Sequence, residues 1–200
     1  MMDVFQILTL TLLGVFYIAY LTKALMLKRR GITVNQLGKG DKPKGALIIE
    51  LFLRVATLVG AVIQFSSALF PKDVWTLALP SAVQIAGLVL IVVGVLFFVI
   101  AMFTMRDNWR AGFVNNQNTS LVTSGIYRIS RNPAFVGFDL LYIGCAAVFP
   151  NILNIAIALM AVVLFHFQIL GEEKYCAESF GEQYMIYKSK TMRYLGFKAS

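Results

Sequence analysis

Long apolar runs separated by short polar stretches dominate the chain. Uninterrupted or nearly uninterrupted apolar positions occupy residues 5–27, 46–70, 79–105, 133–149 and 152–170. Nothing alternates with period two, so the pattern predicts helices rather than strands. A helix needs about 20 residues, at roughly 1.5 Å each, to cross roughly 30 Å of hydrocarbon. The first three runs meet that length with residues to spare. The last two are shorter, and only Pro150 and Asn151 part them. That turn signal predicts a tight helical hairpin rather than one long bent helix. The expectation is an all-α integral membrane protein with five transmembrane helices, the fourth and fifth forming the hairpin. Residues 1–200 read as a single membrane domain.

Composition strengthens this reading. Apolar residues make up 58% of the chain and charged residues 14%, and the mean hydropathy is +0.74. Such an excess is sustained when lipid, not water, covers much of the surface. The opening "MMD" has no basic segment and its apolar run is longer than that of a leader, so it reads as a first span.

The net charge of +8 is distributed unevenly. Lys28, Arg29, Arg30, Lys39, Lys42 and Lys44 fall between spans one and two, and Arg106, Arg110, Arg128 and Arg131 between spans three and four. Lys174, Lys188, Lys190, Arg193 and Lys198 follow span five, whereas the opposite side carries Lys72. The positive-inside bias puts the N-terminus outside, with the basic loops and a C-terminal helical segment in the cytoplasm. It also accounts for the charge without a nucleic-acid partner. The glycosylation-type triplet "NTS" at 118–120 would then lie on the cytoplasmic face, unused.

Familiar soluble sites do not fit. No dinucleotide fingerprint, P-loop or GxSxG motif occurs. His166 is the one histidine, and Cys145 and Cys176 lack metal or disulfide spacing, so no metal is expected. A site must be assembled from residues 106–133 and 171–200, with polar groups from the spans. In the first piece Gly125 suits a turn, Pro133 suits the first turn of span four, and Asn132 falls near its N-cap. Tyr127, Arg128 and Arg131 would equally serve as interfacial anchors. In the second piece Glu172 and Glu173 end an apolar run, and Phe180, Tyr184 and Tyr187 follow as an aromatic stripe. An amphipathic interfacial helix would show the same pattern.

Ionisable residues within spans point to function by default. Glu50 and Arg54, spaced i,i+4, are expected to form a structural ion pair. Asp139 and His166 lie in the cytoplasmic halves of spans four and five, suited either to a helix–helix hydrogen bond or to a substrate pocket. Gly87 and Gly94 share one face of span three, which offers a homodimer contact.

Two blocks carry a resemblance. "SGIYRISRNPAFVG" (124–137) and "GEEKYCAESFGEQYMIYKSKTMRYL" (171–195) resemble the signature blocks of the isoprenylcysteine carboxyl methyltransferase family. That family belongs to a broader group of small integral-membrane methyltransferases that includes the phospholipid N-methyltransferases. "DNWRAG" (107–112) is similar to the family's tryptophan-bearing segment. The resemblance implies S-adenosylmethionine as methyl donor, bound in a cytoplasmic pocket, and a lipophilic acceptor arriving from the bilayer lipids. It implies cofactor contacts from Tyr127, Arg131, Asn132 and Pro133 in the first block. From the second it implies Glu172, Glu173, Phe180, Tyr184, Tyr187 and Arg193. The family often has histidine at Asn132 and tyrosine at Phe135, so proton transfer at those positions is not expected here.

The residue types suit that cofactor. Carboxylates accept bonds from its ribose diol or ammonium, arginine binds its carboxylate, and aromatic rings stack on adenine or face the sulfonium. A carboxylate or thiolate acceptor needs no general base. An amine or hydroxyl does, and His166 or Asp139 would then be the catalytic candidates. Two other readings fit the pattern: an NADPH-dependent membrane reductase of sterol-reductase type, and a non-catalytic membrane protein retaining the pocket.

Overall fold

The computed structural model describes residues 2–70, 77–113 and 119–196; Lys72, Asn118 and Lys198 of the sequence reading lie outside the described residues. Five helices form along the apolar runs: α1 Val4–Arg29, α2 Lys44–Leu69, α3 Ser81–Thr104, α4 Pro133–Val148 and α5 Ile152–Lys190. Four are long and apolar enough to cross a membrane, and α4, with 16 residues, is shorter. The described residues contain no named strand, only an isolated bridge between Asn35 and Ala111. Helices α1, α2, α3 and α5 turn large apolar side chains outward, among them Ile18, Leu58, Val62 and Leu159, each roughly two-thirds exposed. In water that surface would be unstable; in lipid it is the expected covering.

Local chemistry marks the helix ends. Asp3 and Gln6 form a reciprocal capping box at the start of α1. Asn151 caps α5 by accepting the Asn154 N–H at 2.8 Å, and its amide donates to Ser67 Oγ of α2 at 2.9 Å. The Pro150–Asn151 turn signal therefore starts the last helix and ties the α4–α5 hairpin to α2.

Helices α3 and α4 approach more closely than side chains would permit. A Cβ on Gly94 would lie 2.7 Å from the Gly137 carbonyl oxygen, and one on Gly137 would lie 2.7 Å from that of Gly94. Gly87 and Gly144 oppose each other in the same way at 2.8 and 2.7 Å. The sequence reading offered Gly87 and Gly94 to a second copy of the chain. The structure corrects this: α4 occupies that face within one chain, because matching glycines at 137 and 144 let the two backbones touch.

A second correction concerns Glu50. Its fully buried carboxylate pairs with Lys42, at 2.6 and 2.7 Å, rather than with Arg54. It also accepts the Gly38 N–H at 2.7 Å. The α1–α2 connection folds back over the end of α2, which brings Lys42 to the carboxylate and leaves the helical i+4 partner outside. The same connection meets the segment after α3, where Ala111 donates to Val34 O and Gln36 donates to Ala111 O. These contacts gather the α1–α2 connection, the α3–α4 connection and the distal part of α5 at one end of the bundle.

Replacing Gly94 by Ala should lower the thermal unfolding midpoint in detergent, by an overpacking cost of about 1–3 kcal/mol. Gly14→Ala, where a Cβ meets nothing within 4 Å, should leave the midpoint unchanged or raise it slightly.

Candidate active site

The sequence blocks meet at Glu173. This carboxylate is 7% exposed, and its Oε1 accepts from Arg131 Nη2 at 2.7 Å, Arg131 Nε at 3.1 Å and Asn132 Nδ2 at 3.1 Å. Its Oε2 accepts from Arg193 Nη2 at 3.1 Å and Nε at 3.2 Å. Burial alone would push this carboxyl up. The hydrogen bonds and charges of Arg193 and Arg131 outweigh that and hold it below the ordinary carboxylate range. Asn132 stands at the N-cap of α4 without capping it; its amide goes to Glu173 and to the Arg193 carbonyl instead. Pro133 occupies the first helical turn, as its spacing predicts.

The segment after α5 is fastened to the same loop. Arg131 donates its backbone N–H to Met192 O, and Gly196 donates to Ile129 O at 2.9 Å. Gly181 makes this return possible. Its φ of 51° and ψ of −125° interrupt α5 and redirect the last turns, a conformation that residues with a Cβ rarely adopt. Beyond it, Tyr184 and Tyr187 turn inward and become buried. Tyr187 donates to Tyr127 O at 2.6 Å, and burial pushes its hydroxyl well above the usual phenol range, so it remains a donor.

A cavity of about 560 Å³ opens beside this cluster, within the size range of small-molecule sites. Tyr127, Arg131, Asn132 and Phe135 line it from the first block, and Glu172, Glu173, Phe180, Tyr184 and Tyr187 from the second. It continues between α1 and α2, past Tyr17, Tyr20, Thr57 and Leu58. Glu172 is distinct from its neighbour. Its Oε1 accepts from Gln168 at 3.0 Å, and burial pushes its carboxyl up to about 7, against the bonds from Gln168 and the Gly112 backbone. Gln168 also reaches Glu50 Oε1 at 3.4 Å, which links Glu172 to the Lys42 pair. Trp109, from the "DNWRAG" segment, lines the cavity as well; its indole N–H is buried and has no partner among the described residues. A wider depression of about 780 Å³ at the end of α3 is lined by none of the two blocks' carboxylates or tyrosines.

Four predicted site residues do not line the cavity. Pro133 starts α4 behind its wall, and Arg193 supports Glu173 from outside. His166 instead stacks on Tyr194, ring centroids 6.2 Å apart, with Nδ1 at 2.6 Å from the hydroxyl. Asp139 lies near that tyrosine, with Oδ1 buried and unpartnered among the described residues. The structure thus brings both His166 and Asp139 to Tyr194, and neither lines the cavity. Gln168 and Arg54 face the cavity without having been singled out for it. Gln168, one turn before Glu172, carried a usable signal in its spacing; Arg54 was assigned to Glu50 on equally good spacing.

The sequence model described as phospholipid methyltransferase matches residues 82–183. The chain belongs to the phospholipid methyltransferase family. Its match includes α3 from its second residue, α4 and most of α5, with both glycine pairs, Arg131, Asn132 and Glu173, while Arg193 lies beyond it. Within curated relatives, a human protein-S-isoprenylcysteine O-methyltransferase is 32% identical over 117 residues, 57% of this chain and 41% of that protein. The Saccharomyces cerevisiae enzyme of that name is 32% identical over 110 residues, 53% of this chain and 46% of the relative. An Arabidopsis thaliana protein-S-isoprenylcysteine O-methyltransferase B is 33% identical over 75 residues, 37% and 38% respectively. The match thus spans less than half the length of each of these relatives.

Glu173→Gln should loosen the Arg131–Arg193 cluster, at a cost of about 3–5 kcal/mol for a buried pair deprived of one partner. The depressed carboxyl contributes stability that is present above its unfolded pKa and lost as pH falls through the lower folded value. The wild-type unfolding midpoint should therefore fall on acidification below about pH 4.5, the ordinary value for this group. In E173Q that acid limb should flatten, measurable by thermal melting across pH in detergent.

Proposed function

We propose that this chain is a membrane methyltransferase that uses S-adenosylmethionine to methylate the carboxylate of a prenylcysteine-type acceptor delivered from the bilayer. The observation that carries the reading is Glu172. Both sequence blocks wall one cavity, and this carboxyl faces it with hydrogen-bonding capacity left after Gln168. Glu173, saturated by two guanidiniums and an amide, builds the wall.

The donor set fits the cofactor. A carboxylate and an unpartnered indole N–H stand among aromatic rings, suited to an ammonium or ribose diol and to an adenine or sulfonium. S-adenosylmethionine supplies an electrophilic methyl group for in-line displacement. The protein's share is positioning and exclusion of water. Tyr184, Tyr187 and Phe180 close the side made by the redirected end of α5. Tyr17, Tyr20, Thr57 and Leu58 flank the α1–α2 side, where a lipid-borne acceptor would enter. A carboxylate nucleophile requires no base, in keeping with the positions of His166 and Asp139 outside the cavity. A nicotinamide cofactor with several phosphates suits this site less well, since Arg131 already serves Glu173 and two carboxylates face the space.

The Lys and Arg bias further supports all five helices crossing, with the N-terminus outside and the site on the cytoplasmic side. The relatives' names support the acceptor class. Transfer to a phospholipid amine is the second reading, supported by the description of the matched family.

The deciding test is methyl transfer in liposomes from labelled S-adenosylmethionine to N-acetyl-S-farnesylcysteine, beside phosphatidylethanolamine. Base-labile methyl ester on the prenylcysteine is the expected product; label on the lipid amine alone would replace the carboxylate reading with the second one.

Cofactor affinity should also depend on pH. Glu172 titrates near 7 in the free site, and its ionised form attracts a cationic ligand. Affinity should therefore weaken as pH falls below about 7. Calorimetry at pH 6 to 6.5 in buffers of different ionisation enthalpy should detect proton release on binding. Glu172→Gln should remove both effects and weaken binding about tenfold or more, as for a lost charged hydrogen bond.

A further inference from the structure

Three arginines line the cavity: Arg54, Arg110 and Arg131. Arg131 is bound to Glu173 and to the Thr191 carbonyl. Arg110 donates to the carbonyls of Asp107 and Trp109. Arg54 is exposed on α2, and its guanidinium has no hydrogen bond or ion pair among the described residues, although it lies within an apolar helix. Its natural helical partner, Glu50, is held by Lys42 and Gly38. An unpaired charge within a spanning helix is costly and is retained where a substrate or ion compensates it.

The surroundings indicate what would compensate it. Arg54 shares the cavity-lining face of α2 with Leu53, Thr57, Leu58 and Ala61, a largely apolar strip. Glu172 of α5 lines the same cavity, so one space offers a cation from α2 and a carboxyl from α5. A guanidinium set in an apolar wall matches an amphiphile with an anionic head and a hydrocarbon tail, because its planar donors grip a carboxylate in two places.

We propose that Arg54 anchors the carboxylate of the acceptor and thereby selects acidic acceptors over neutral ones. This inference rests on the carboxyl-methylation reading. In the transfer, the methyl C–S bond breaks with its electron pair going to sulfur, and a carboxylate oxygen lone pair forms the new C–O bond. No proton moves. The sulfonium becomes a neutral thioether and the carboxylate a neutral ester. The ester cannot maintain the ion pair with Arg54, so methylation itself weakens the anchor and favours release of the product over retention.

The test compares N-acetyl-S-farnesylcysteine with its methyl ester, by calorimetric binding and by turnover, in wild type, Arg54→Gln and Arg54→Lys. Wild type should bind the acid more tightly than the ester. In R54Q the Kd and KM for the acid should rise about 10- to 100-fold, as for loss of a charge-assisted bond, while affinity for the ester stays the same. R54K should recover part of the acid preference. Unchanged cofactor binding and unfolding midpoint in R54Q would separate this from misfolding; if R54Q does not fold, the partial loss in R54K decides. Turnover by wild type with the same acid-over-ester preference in the variants would overturn the proposal and leave the methyltransferase reading standing. Arg54-dependent acid binding without turnover would support the anchor and sink the reading it rests on. Absence of both sinks both. Arg54-dependent binding of phosphatidylglycerol in place of the acid would assign the guanidinium to a lipid phosphate and overturn the proposal.

Discussion

Five hydrogen bonds converging on one buried carboxylate organise the functional end of this protein. Glu173 receives donors from the loop before α4 and from the segment after α5, regions that are distant in sequence. Without a carboxylate there, Arg131 would be a buried cation with only a carbonyl for company, and the returning chain would lose a fastening. The arrangement is of the kind in which polar groups are costly singly and stabilising when all are satisfied. Everything that shapes the cavity from the α5 side depends on that satisfaction: the kink at Gly181, the inward Tyr184 and Tyr187, and the backbone link from Arg131 to Met192.

The adjacent carboxyl does the opposite. Glu172 is half-buried and only partly satisfied, and its raised pKa expresses the missing compensation. Two neighbouring residues of the same type thus differ in satisfaction according to what each helix face meets. Glu173 faces cations and becomes scaffold. Glu172 faces an open, aromatic-walled space and remains available. Arg54 repeats this logic with the opposite sign on α2, where the folding back of Lys42 onto Glu50 leaves one guanidinium without a counter-ion.

Close backbone contact between α3 and α4 supports both halves of the site. Two glycine pairs set the distance between these helices, and α4 in turn carries Asn132, Phe135 and Phe138 to the cavity wall. Apolar burial provides little preference for one helix pairing over another in lipid, so close packing and polar ties carry the specificity. The Asn151–Ser67 bond and the Lys42–Glu50 pair have this role on the α2 side.

Helix type and approximate extent followed from the sequence by itself. Apolar runs of that length in lipid leave the helix as the way to satisfy every backbone group. Turn chemistry at Gly125, Pro133 and Pro150–Asn151 is local and was equally legible. So were the two blocks, whose residue types mark a site whatever their orientation. The tertiary structure alone decided which polar groups meet. Glu50 could pair with Arg54 by spacing, yet a loop brought Lys42 closer. Gly87 and Gly94 marked a contact face without naming its partner, which lies in α4. His166 and Asp139 signalled polarity inside helices, but the returning segment after α5 meets them with Tyr194, and neither lines the cavity. A helical period states which residues share a face. What that face meets depends on crossing angles and loop paths, and these are set by the whole chain at once.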